Sequence, residues 1–187
     1  MPADPGAAAE LRSERLLLRP FADTDAGFLF DLYRRPGVQR YIGRVPRVMA
    51  DRSEAVQLIE RVRAPLDGPN GRWLIVGPDA GEPAGVLLLN SLPASTSDAS
   101  RPPSGETEIG WHLHPRAWGR GIATEAARRV LRHAFDGGLD RVLAVTHPDN
   151  AASQAVALRI GMRDEGETDA YYDTRCRLFV IDRPSRS

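Results

Sequence analysis

Apolar positions along this chain repeat with two periods, one typical of β-strands and the other of α-helices. Alternating or continuous apolar runs predict strands at residues 11–21, 72–76, 84–89, 106–113, 141–146 and 175–181. Apolar positions three and four residues apart predict helices that begin near residues 23 and 51 and that cover residues 122–135 and 150–160. The order of these elements predicts an α/β sandwich around a mixed sheet.

The predicted elements form one domain, residues 11–183. The chain has 187 residues, which suits a single domain, since domains commonly span about 100–200 residues. Residues 91–105 are rich in Ser and Pro and are expected to form a mobile loop inside this domain. Residues 1–10 have no basic start, so they predict a disordered lead-in rather than a secretory signal, and residues 184–187 are expected to be a tail.

Composition argues against several classes of function. Lys plus Arg and Asp plus Glu both number 25, so the net charge of zero gives no global field for binding nucleic acid. The single cysteine, Cys176, rules out an intrachain disulfide framework, and the four histidines lack metal-ligand spacing, so we predict no metal. No apolar run approaches the roughly 20 residues of a transmembrane helix, and we therefore expect no membrane partner and a cytoplasmic location.

A basic, glycine-containing turn connects the fourth predicted strand to the long predicted helix. Its sequence, Arg116-Ala-Trp-Gly119-Arg-Gly121, lets the main chain turn sharply and directs backbone N–H groups and a helix N-terminus at an anion. Position 124 is Thr, so a dinucleotide-binding fingerprint lacks its third glycine, and no Gly-Lys-Ser/Thr is present to form a P-loop. The turn predicts a site for a phosphate-bearing ligand, although the same glycines also suit a simple strand–helix corner.

This turn resembles the signature of the GNAT superfamily of acetyl-CoA-dependent N-acetyltransferases, which is Gln or Arg, two residues, Gly, one residue, then Gly or Ala. Residues 13–20, residues 108–113, and residues 150–153 with the Gly161-Met162 pair are similar to its RimJ/RimL-like branch, whose founding members acetylate the N-termini of ribosomal proteins. The resemblance covers roughly residues 11–183. It implies a single-domain GNAT-like sandwich with a mostly antiparallel sheet of about six to seven strands. It also implies a splay between the fourth and fifth strands and about four flanking helices.

The resemblance further implies that acetyl-CoA is the co-substrate and that three segments bind it. The pyrophosphate would lie on the N–H groups of the turn and of the helix start. The pantetheine arm would pair with the end of the fourth strand, and its far end would meet a second helix N-terminus. In that order the implied residues are Arg116, Ala117, Trp118, Gly119, Arg120, Gly121, Ile122, Ala123 and Thr124; His112, Leu113 and His114; and Asn150 and Ser153.

Transfer of an acetyl group to an amine needs a base, because an alkylammonium is mostly protonated at neutral pH. Glu108 is the candidate base, acting through water, on the strand where relatives often carry one, and Glu106 is the alternative. A tyrosine could protonate the coenzyme A thiolate. Tyr171 and Tyr172 both lie at the spacing where relatives carry an acidic tyrosine, and we slightly prefer Tyr172. The carboxylates could instead be solvated, and the tyrosines could pack at a strand start. Ser153 is a third candidate donor.

These residues predict direct transfer from acetyl-CoA to a primary amine in a ternary complex, since no Cys or Ser lies in a nucleophile motif. The acceptor could be a protein N-terminus or a small molecule, and a homodimer is compatible with the sequence. The acidic segment 164–173 suits either attraction of a cationic acceptor or a solvated hairpin. The alternative function is an acyl-CoA-binding or sensing module without turnover, against which the joint presence of Glu108 and Tyr172 argues.

Overall fold

The computed structural model describes residues 9–63, 66–78, 81–95 and 104–184. Within these ranges the strands are β1 (Leu11–Arg12), β2 (Leu17–Arg19), β3 (Gly71–Val76), β4 (Pro83–Ser91), β5 (Thr107–Leu113), β6 (Arg141–Thr146), β7 (Arg163–Thr168) and β8 (Cys176–Asp182). The helices are α1 (Ala26–Tyr33), α2 (Pro36–Gln39), α3 (Arg52–Val62), α4 (Ile122–Asp136) and α5 (Ala151–Arg159). Residues 1–8 of the predicted lead-in, 96–103 of the predicted mobile loop and 185–187 of the predicted tail lie outside the described residues.

The strands form one sheet in the order β1-β2-β3-β4-β5-β6-β8-β7. Every neighbouring pair is antiparallel except β5 and β6, which run parallel. That parallel pair is in register only where Glu108 lies opposite Leu143, so the two strands part toward their C-terminal ends. The predicted α/β sandwich, its mostly antiparallel mixed sheet and its splay are confirmed.

The single strand predicted at residues 11–21 is wrong, because the chain turns back within it. The Ser13 N–H donates to the Leu16 carbonyl at 3.0 Å, and Leu11 pairs with Leu18 across the turn. Apolar residues lie on both arms of this short turn, so the pattern alone predicted one long strand. This turn adds one strand and β7, which was not among the predicted strands, adds another, so the described sheet has eight strands rather than six to seven.

The described α-helices number five rather than about four, because Pro36 begins a further short helix, α2, after α1. Helix α1 stops at Tyr33, and Pro36 is the first residue of α2. Proline suits that position, since its fixed φ is helical and the N–H it lacks would have no partner in the helix. The segment that follows α2 reaches the cleft described below.

Side chains alternate across the central strands and build one core on each face of the sheet. On one face Trp73 and Leu87 belong to a buried cluster with α4 residues. On the other face Leu74 and Val86 belong to a buried cluster with α1 and α3 residues. Full burial of a large apolar side chain contributes about 1.5–3 kcal/mol, so the two clusters hold the central strands in place around the split between β5 and β6.

Candidate active site

A cleft of about 1350 Å³ opens where β5 and β6 part. The catalytic candidates Glu108, Tyr172 and Ser153 line it. The residues expected to bind the cofactor that also line it are His112, Leu113, Ala117, Trp118, Gly119, Gly121, Ile122, Ala123, Thr124 and Asn150. The split in the sheet thus brings candidates from β5, from two helix N-termini and from the β7–β8 turn to one cavity.

Glu108 is the only carboxylate among the described residues that line the cleft, and it is only 6% exposed. Asn90 of β4 lies opposite it, and the Asn90 amide donates to Glu108 Oε1 at 3.2 Å. The Tyr172 hydroxyl donates to the same oxygen. Burial raises the pKa of the Glu108 carboxyl, although the hydrogen bonds from Tyr172 and Asn90 favour its ionised form and oppose the rise. A carboxylate with a raised pKa beside a cleft is suited to general-base work.

Tyr172 lies in the turn between β7 and β8 with an uncommon backbone conformation. Its φ of 59° and the φ of 51° at Asp173 are left-handed, a region that residues other than glycine rarely adopt. Ser95 holds this turn, because its hydroxyl donates to the Asp169 carbonyl at 2.7 Å and accepts from the Asp173 N–H at 3.0 Å. Burial and the negative charge of Glu108 raise the pKa of the Tyr172 hydroxyl. The hydroxyl therefore stays protonated and donates a hydrogen bond to Glu108.

The other catalytic candidates take different positions. Tyr171 pairs with Ala94 in an isolated bridge and packs against a small buried cluster. Glu106 lies just before β5. Ser153 is in the first turn of α5, where its N–H donates to the Asn150 side chain at 3.2 Å. Asn150 is therefore the N-cap of α5, as its position in the sequence predicted.

The turn between β5 and α4 presents backbone N–H groups at the cleft. Gly119 and Gly121 have φ values of 70° and 74°, which glycine adopts without strain. The N–H groups of residues 122–124 have no carbonyl partner within the helix, and Gly121 at the N-cap has no side chain to accept from them. Free N–H groups at the positive end of a helix dipole fit an anion such as a pyrophosphate.

Glu125, in the first turn of α4, is neutralised by the β1–β2 turn. The Ser13 hydroxyl donates to it at 2.7 Å, and Arg15 Nε donates at 2.7 Å. Although burial raises the pKa of the Glu125 carboxyl, these bonds outweigh burial and keep it below its usual value. Arg15 Nη2 also donates to the Arg120 carbonyl at 3.4 Å. The paired carboxylate therefore repels an anion at the helix N-terminus less than a free one would.

The side chains of Arg116 and His114 brace the corner between β5 and the turn. Arg116 Nη2 donates to the Pro83 carbonyl at 2.8 Å. His114 Nδ1 accepts from the Arg116 N–H at 3.3 Å, and His114 Nε2 lies 3.0 Å from Asp31 Oδ2. Because Nδ1 accepts, Nε2 carries a proton and donates to Asp31. The cofactor contacts expected of Arg116, His114 and the neighbouring Arg120 stay predictions.

Sequence reasoning missed three polar residues beside this site, Asn90, Tyr33 and Arg72. The Tyr33 hydroxyl lies 3.0 Å from His112 Nδ1, and burial lowers the pKa of His112 to about 4, which keeps the ring neutral. Only the register of β4 against β5 places Asn90 beside Glu108, and the long Ser/Pro-rich loop between those strands hides that register. Tyr33 was visible as part of an apolar helix face, but the pattern does not show which strand it meets.

Comparison with known proteins agrees with this geometry. The profile of the acetyltransferase (GNAT) domain matches residues 15–163. The chain belongs to the GNAT acetyltransferase family. The predicted class of enzyme, an N-acetyltransferase, and the predicted superfamily are confirmed.

Relatives of this GNAT chain include N-acetyltransferases from bacteria and fungi. It is 31% identical over 182 residues to the uncharacterized N-acetyltransferase YoaA of Bacillus subtilis (strain 168), a match that covers 92% of this chain and 97% of YoaA. It is 30% identical over 165 residues to the FsC-acetyl coenzyme A-N(2)-transacetylase of Aspergillus fumigatus, covering 88% and 69%. Mycobacterium smegmatis RimJ in complex with CoA-disulfide shares its fold, with a TM-score of 0.71, 22% identity, and coverage of 93% of this chain and 86% of RimJ.

Among the described residues, no helix is long and apolar enough to cross a membrane. Within the same ranges, no group of three or more His, Cys, Asp or Glu side chains is placed to hold a metal ion.

Proposed function

We propose that this GNAT protein transfers an acetyl group from acetyl-CoA to a primary amine by direct transfer in a ternary complex. The observation that carries the proposal is the buried Glu108 carboxylate, bonded to Tyr172 where β5 and β6 part. A carboxyl with a raised pKa at a cleft suits removal of a proton from an ammonium group. Relatives that are named N-acetyltransferases support this assignment.

Glu108 takes the proton of the attacking amine, directly or through one water molecule. When Glu108 becomes neutral, the negative charge that helps to hold the proton on Tyr172 disappears, so the tyrosine becomes a better acid for the departing thiolate. The proton on Glu108 then replaces the one that Tyr172 has given up, along the hydrogen bond that joins them. As the amine nitrogen bonds to the acetyl carbon, the carbon–sulfur bond breaks. Of the two protons that an ammonium group loses on becoming an amide, one reaches the coenzyme A sulfur and the other passes to solvent. Ser153 is the alternative donor, since it lines the same cleft.

The residues around the cleft fit coenzyme A. The N–H groups of Gly119, Gly121 and residues 122–124 would hold the pyrophosphate. Because β5 pairs with β6 only at Glu108, the backbone of β5 beyond that residue is available to pair with the amides of the pantetheine arm. Asn150 and Ser153 would meet the far end of that arm. Bound there, acetyl-CoA supplies the activated acetyl group.

The alternative, an acyl-CoA-binding module without turnover, explains less of the site. Burial of a carboxylate costs free energy, and a module that only binds gains nothing from it. Here Glu108 is both buried and bonded to Tyr172, an arrangement with a direct use in proton transfer. The acceptor amine, a protein N-terminus or a small molecule, is the part of the proposal that remains to be identified.

A coenzyme A release assay across N-terminal peptides, aminoglycosides, polyamines and amino acids tests the proposal. We expect turnover with at least one class of amine, and its loss in Glu108→Gln. In parallel, acetyl-CoA should raise the melting temperature, whereas NAD should not. The proposal is contradicted if no amine is turned over, and its cofactor assignment also fails if acetyl-CoA leaves the melting temperature unchanged.

A further inference from the structure

Arg72 is a cation in the cleft that lacks a partner among the described residues. It lies on β3, is partly buried, and lines the same cleft as Glu108 and Tyr172. Its guanidinium forms no hydrogen bond or ion pair with any residue in the described ranges. It is nonetheless close enough for its positive charge to act on the Tyr172 hydroxyl. A partly buried cation has lost some of its hydration, so an unpaired one favours an anionic ligand.

The position of Arg72 in the sheet separates it from the phosphates of coenzyme A. Arg72 pairs with Leu88 of β4, and Leu88 pairs with Gly110 of β5. Neighbouring strands lie about 4.8 Å apart, so the Arg72 Cα is about 10 Å from β5, on the side away from the split with β6. The proposed pyrophosphate site at residues 119–124 lies beyond the C-terminal end of β5, and the proposed place of the pantetheine arm is the split between β5 and β6. Arg72 therefore lies on a part of the cleft that the proposed coenzyme A site leaves open, where an acceptor could reach Glu108.

The charge of the cleft has the same sign as Arg72. Glu108 is the only carboxylate among its described lining residues, and its oxygen is already bonded to Tyr172 and Asn90. The other cationic lining residues are Arg40, Arg44, Arg159 and Arg175. An acceptor that carries only positive charge has no carboxylate besides Glu108 to meet among the described lining residues, whereas an anionic group on the acceptor can pair with a cation there.

The acidic segment 164–173 does not reverse this balance. Asp164 pairs with Arg177, and Glu167 pairs with Arg175, both across the β7–β8 hairpin. These carboxylates are neutralised by their own neighbours in the sheet. This pairing is more typical of a solvated hairpin than of a segment that attracts a cationic acceptor.

We propose that Arg72 binds a carboxylate or phosphate group of the acceptor, so that the preferred acceptors are amines that also carry an anionic oxygen group. The inference rests on the proposed acetyltransferase function and deepens it. The guanidinium holds the anion with charge-assisted hydrogen bonds, and the amine on the same molecule is thereby directed at Glu108. Arg72 is a residue that selects and positions the acceptor, and Glu108 remains the base.

Matched pairs of amines test the preference. The pairs are α-amino acids against their carboxamides, phosphoethanolamine against ethanolamine, and short peptides with Asp or Glu against Asn or Gln at the second position. Charge-assisted hydrogen bonds typically contribute enough for a tenfold effect or more, so the anionic member of at least one pair should have a KM lower by about tenfold. The pair that responds tells whether the anion is a carboxylate or a phosphate, and equal KM values within every pair overturn the proposal.

Variants of Arg72 connect the preference to this residue. Arg72→Gln should raise the KM of the anionic acceptor about tenfold and leave that of its neutral partner unchanged, and Arg72→Lys should restore part of the loss. Arg175→Gln is the matched control, because Arg175 also lines the cleft but is already paired with Glu167. An equal effect of Arg72→Gln on both members of a pair indicates a structural role and overturns the proposal.

A binding measurement separates this inference from the proposed function. N-acetylated amino acids and their carboxamides can be titrated calorimetrically into the protein in the presence of coenzyme A, which needs no turnover. Tighter binding of the anionic form that depends on Arg72 supports the inference even if no amine is acetylated, in which case only the transferase proposal fails. Turnover without any anion preference overturns the inference and leaves the transferase proposal intact.

Discussion

The hydroxyl of Tyr172 donates a hydrogen bond to the carboxylate of Glu108, although the two residues are 64 positions apart in the chain. Glu108 is on the strand that parts from β6, and Tyr172 is in the turn that leads into β8. Burial raises the pKa of both side chains, and the charge of Glu108 adds to the rise at Tyr172. The pair therefore holds a carboxylate and a protonated phenol side by side, which is the arrangement that proton transfer between an amine and a thiolate needs.

Replacement of Glu108 by Gln should separate activity from stability. We expect Glu108→Gln to lower kcat by about 10²-fold or more, because the base is gone. Since burial raises the pKa of Glu108, its contribution to stability is present at low pH and lost as the pH rises through the folded-state pKa. Gln carries no charge to bury, so the variant should melt at the same or a higher temperature at neutral pH. Activity assays and thermal melts at pH 7.5 check both outcomes.

Glu106→Gln is the control for that substitution, since Glu106 lies just before β5 outside the described cleft lining. It should retain parental kcat. A parental rate in Glu108→Gln together with a loss in Glu106→Gln would move the base to Glu106.

The pH dependence of kcat/KM should respond to Tyr172. A general base works when deprotonated, so the raised pKa of Glu108 places the acid limb of the profile above the ordinary glutamate value of about 4.3. The hydrogen bond from Tyr172 favours the carboxylate, and Tyr172→Phe removes it. The limb should therefore move to higher pH in Tyr172→Phe when the same acceptor is used. Tyr171→Phe should leave the limb in place, and an unmoved limb in Tyr172→Phe contradicts the assignment.

Ser95 should control the geometry of the Tyr172 turn. Its buried hydroxyl bonds Asp169 and Asp173, and its N–H donates to the Ala170 carbonyl at 2.8 Å. Ser95→Ala leaves the Asp173 N–H and the Asp169 carbonyl without that hydroxyl, at a cost of about 1–3 kcal/mol to stability. Because the left-handed Tyr172 and Asp173 lose this support, kcat should fall while acetyl-CoA affinity stays unchanged. Urea unfolding, calorimetric titration and steady-state kinetics measure the three quantities, and a fall in acetyl-CoA affinity would argue for a wider rearrangement.

The sequence predicted best those elements whose signals are local. Strand β6 is flanked by Asp140 before it and His147 after it. Its observed bounds are the predicted ones. Asp51 and Asn150 were expected to begin helices, and both accept from the N–H group that their side chains can reach, at Ser53 and Ser153. A cap involves only three or four neighbouring residues, so it can be seen without the fold.

What the sequence did not show depends on contacts between distant segments. The register that sets Asn90 opposite Glu108 follows from the whole β4–β5 pairing, and no residue near Asn90 encodes it. The Tyr33–His112 contact depends on how α1 packs across the sheet. The position of Arg72 near Tyr172 requires the β7–β8 turn to fold over the sheet, and the acidic composition of that hairpin gives no sign of a cation there.

Gly121 should matter for cofactor binding beyond its effect on stability. Its φ of 74° is left-handed, and a side chain there costs about 1–2 kcal/mol. A shift of the turn that relieves this strain also moves the N–H groups that would hold the pyrophosphate. Gly121→Ala should therefore weaken acetyl-CoA binding by about 5–30-fold, the factor that corresponds to that strain.

Gly138→Ala is the matched control for that titration, because Gly138 has a φ of 101° at the other end of α4 and an added Cβ there meets nothing within 4 Å. It should lose a similar amount of stability and keep its acetyl-CoA affinity. An equal loss of affinity in both variants would mean that α4 responds to strain anywhere along it, and the turn would lose its special role.

The Arg19–Asp25 pair should make stability depend on acid pH. Arg19 holds both carboxylate oxygens of Asp25 at 2.8 Å, and the Ala22 N–H donates to the same carboxylate at 2.7 Å. Burial raises the pKa of the Asp25 carboxyl, but these bonds outweigh burial and lower it below its usual value. The pair therefore stabilises the fold above the unfolded-state pKa of about 3.9, and this stability is lost as the pH falls through the lower folded-state pKa.

Asp25→Asn should accordingly lower the free energy of unfolding at pH 7 by about 2 kcal/mol, a value reduced for the partial exposure of Arg19. The difference from the parent should shrink as the pH falls toward 2, where the parental carboxyl becomes protonated. Asp23→Asn in the same 3₁₀ turn is the control, because Asp23 is 84% exposed where it pairs with Arg63 and should matter little. Urea unfolding between pH 2 and 7 measures these differences. A loss in Asp25→Asn that is the same at every pH would show that shape, rather than charge, holds this turn against β2.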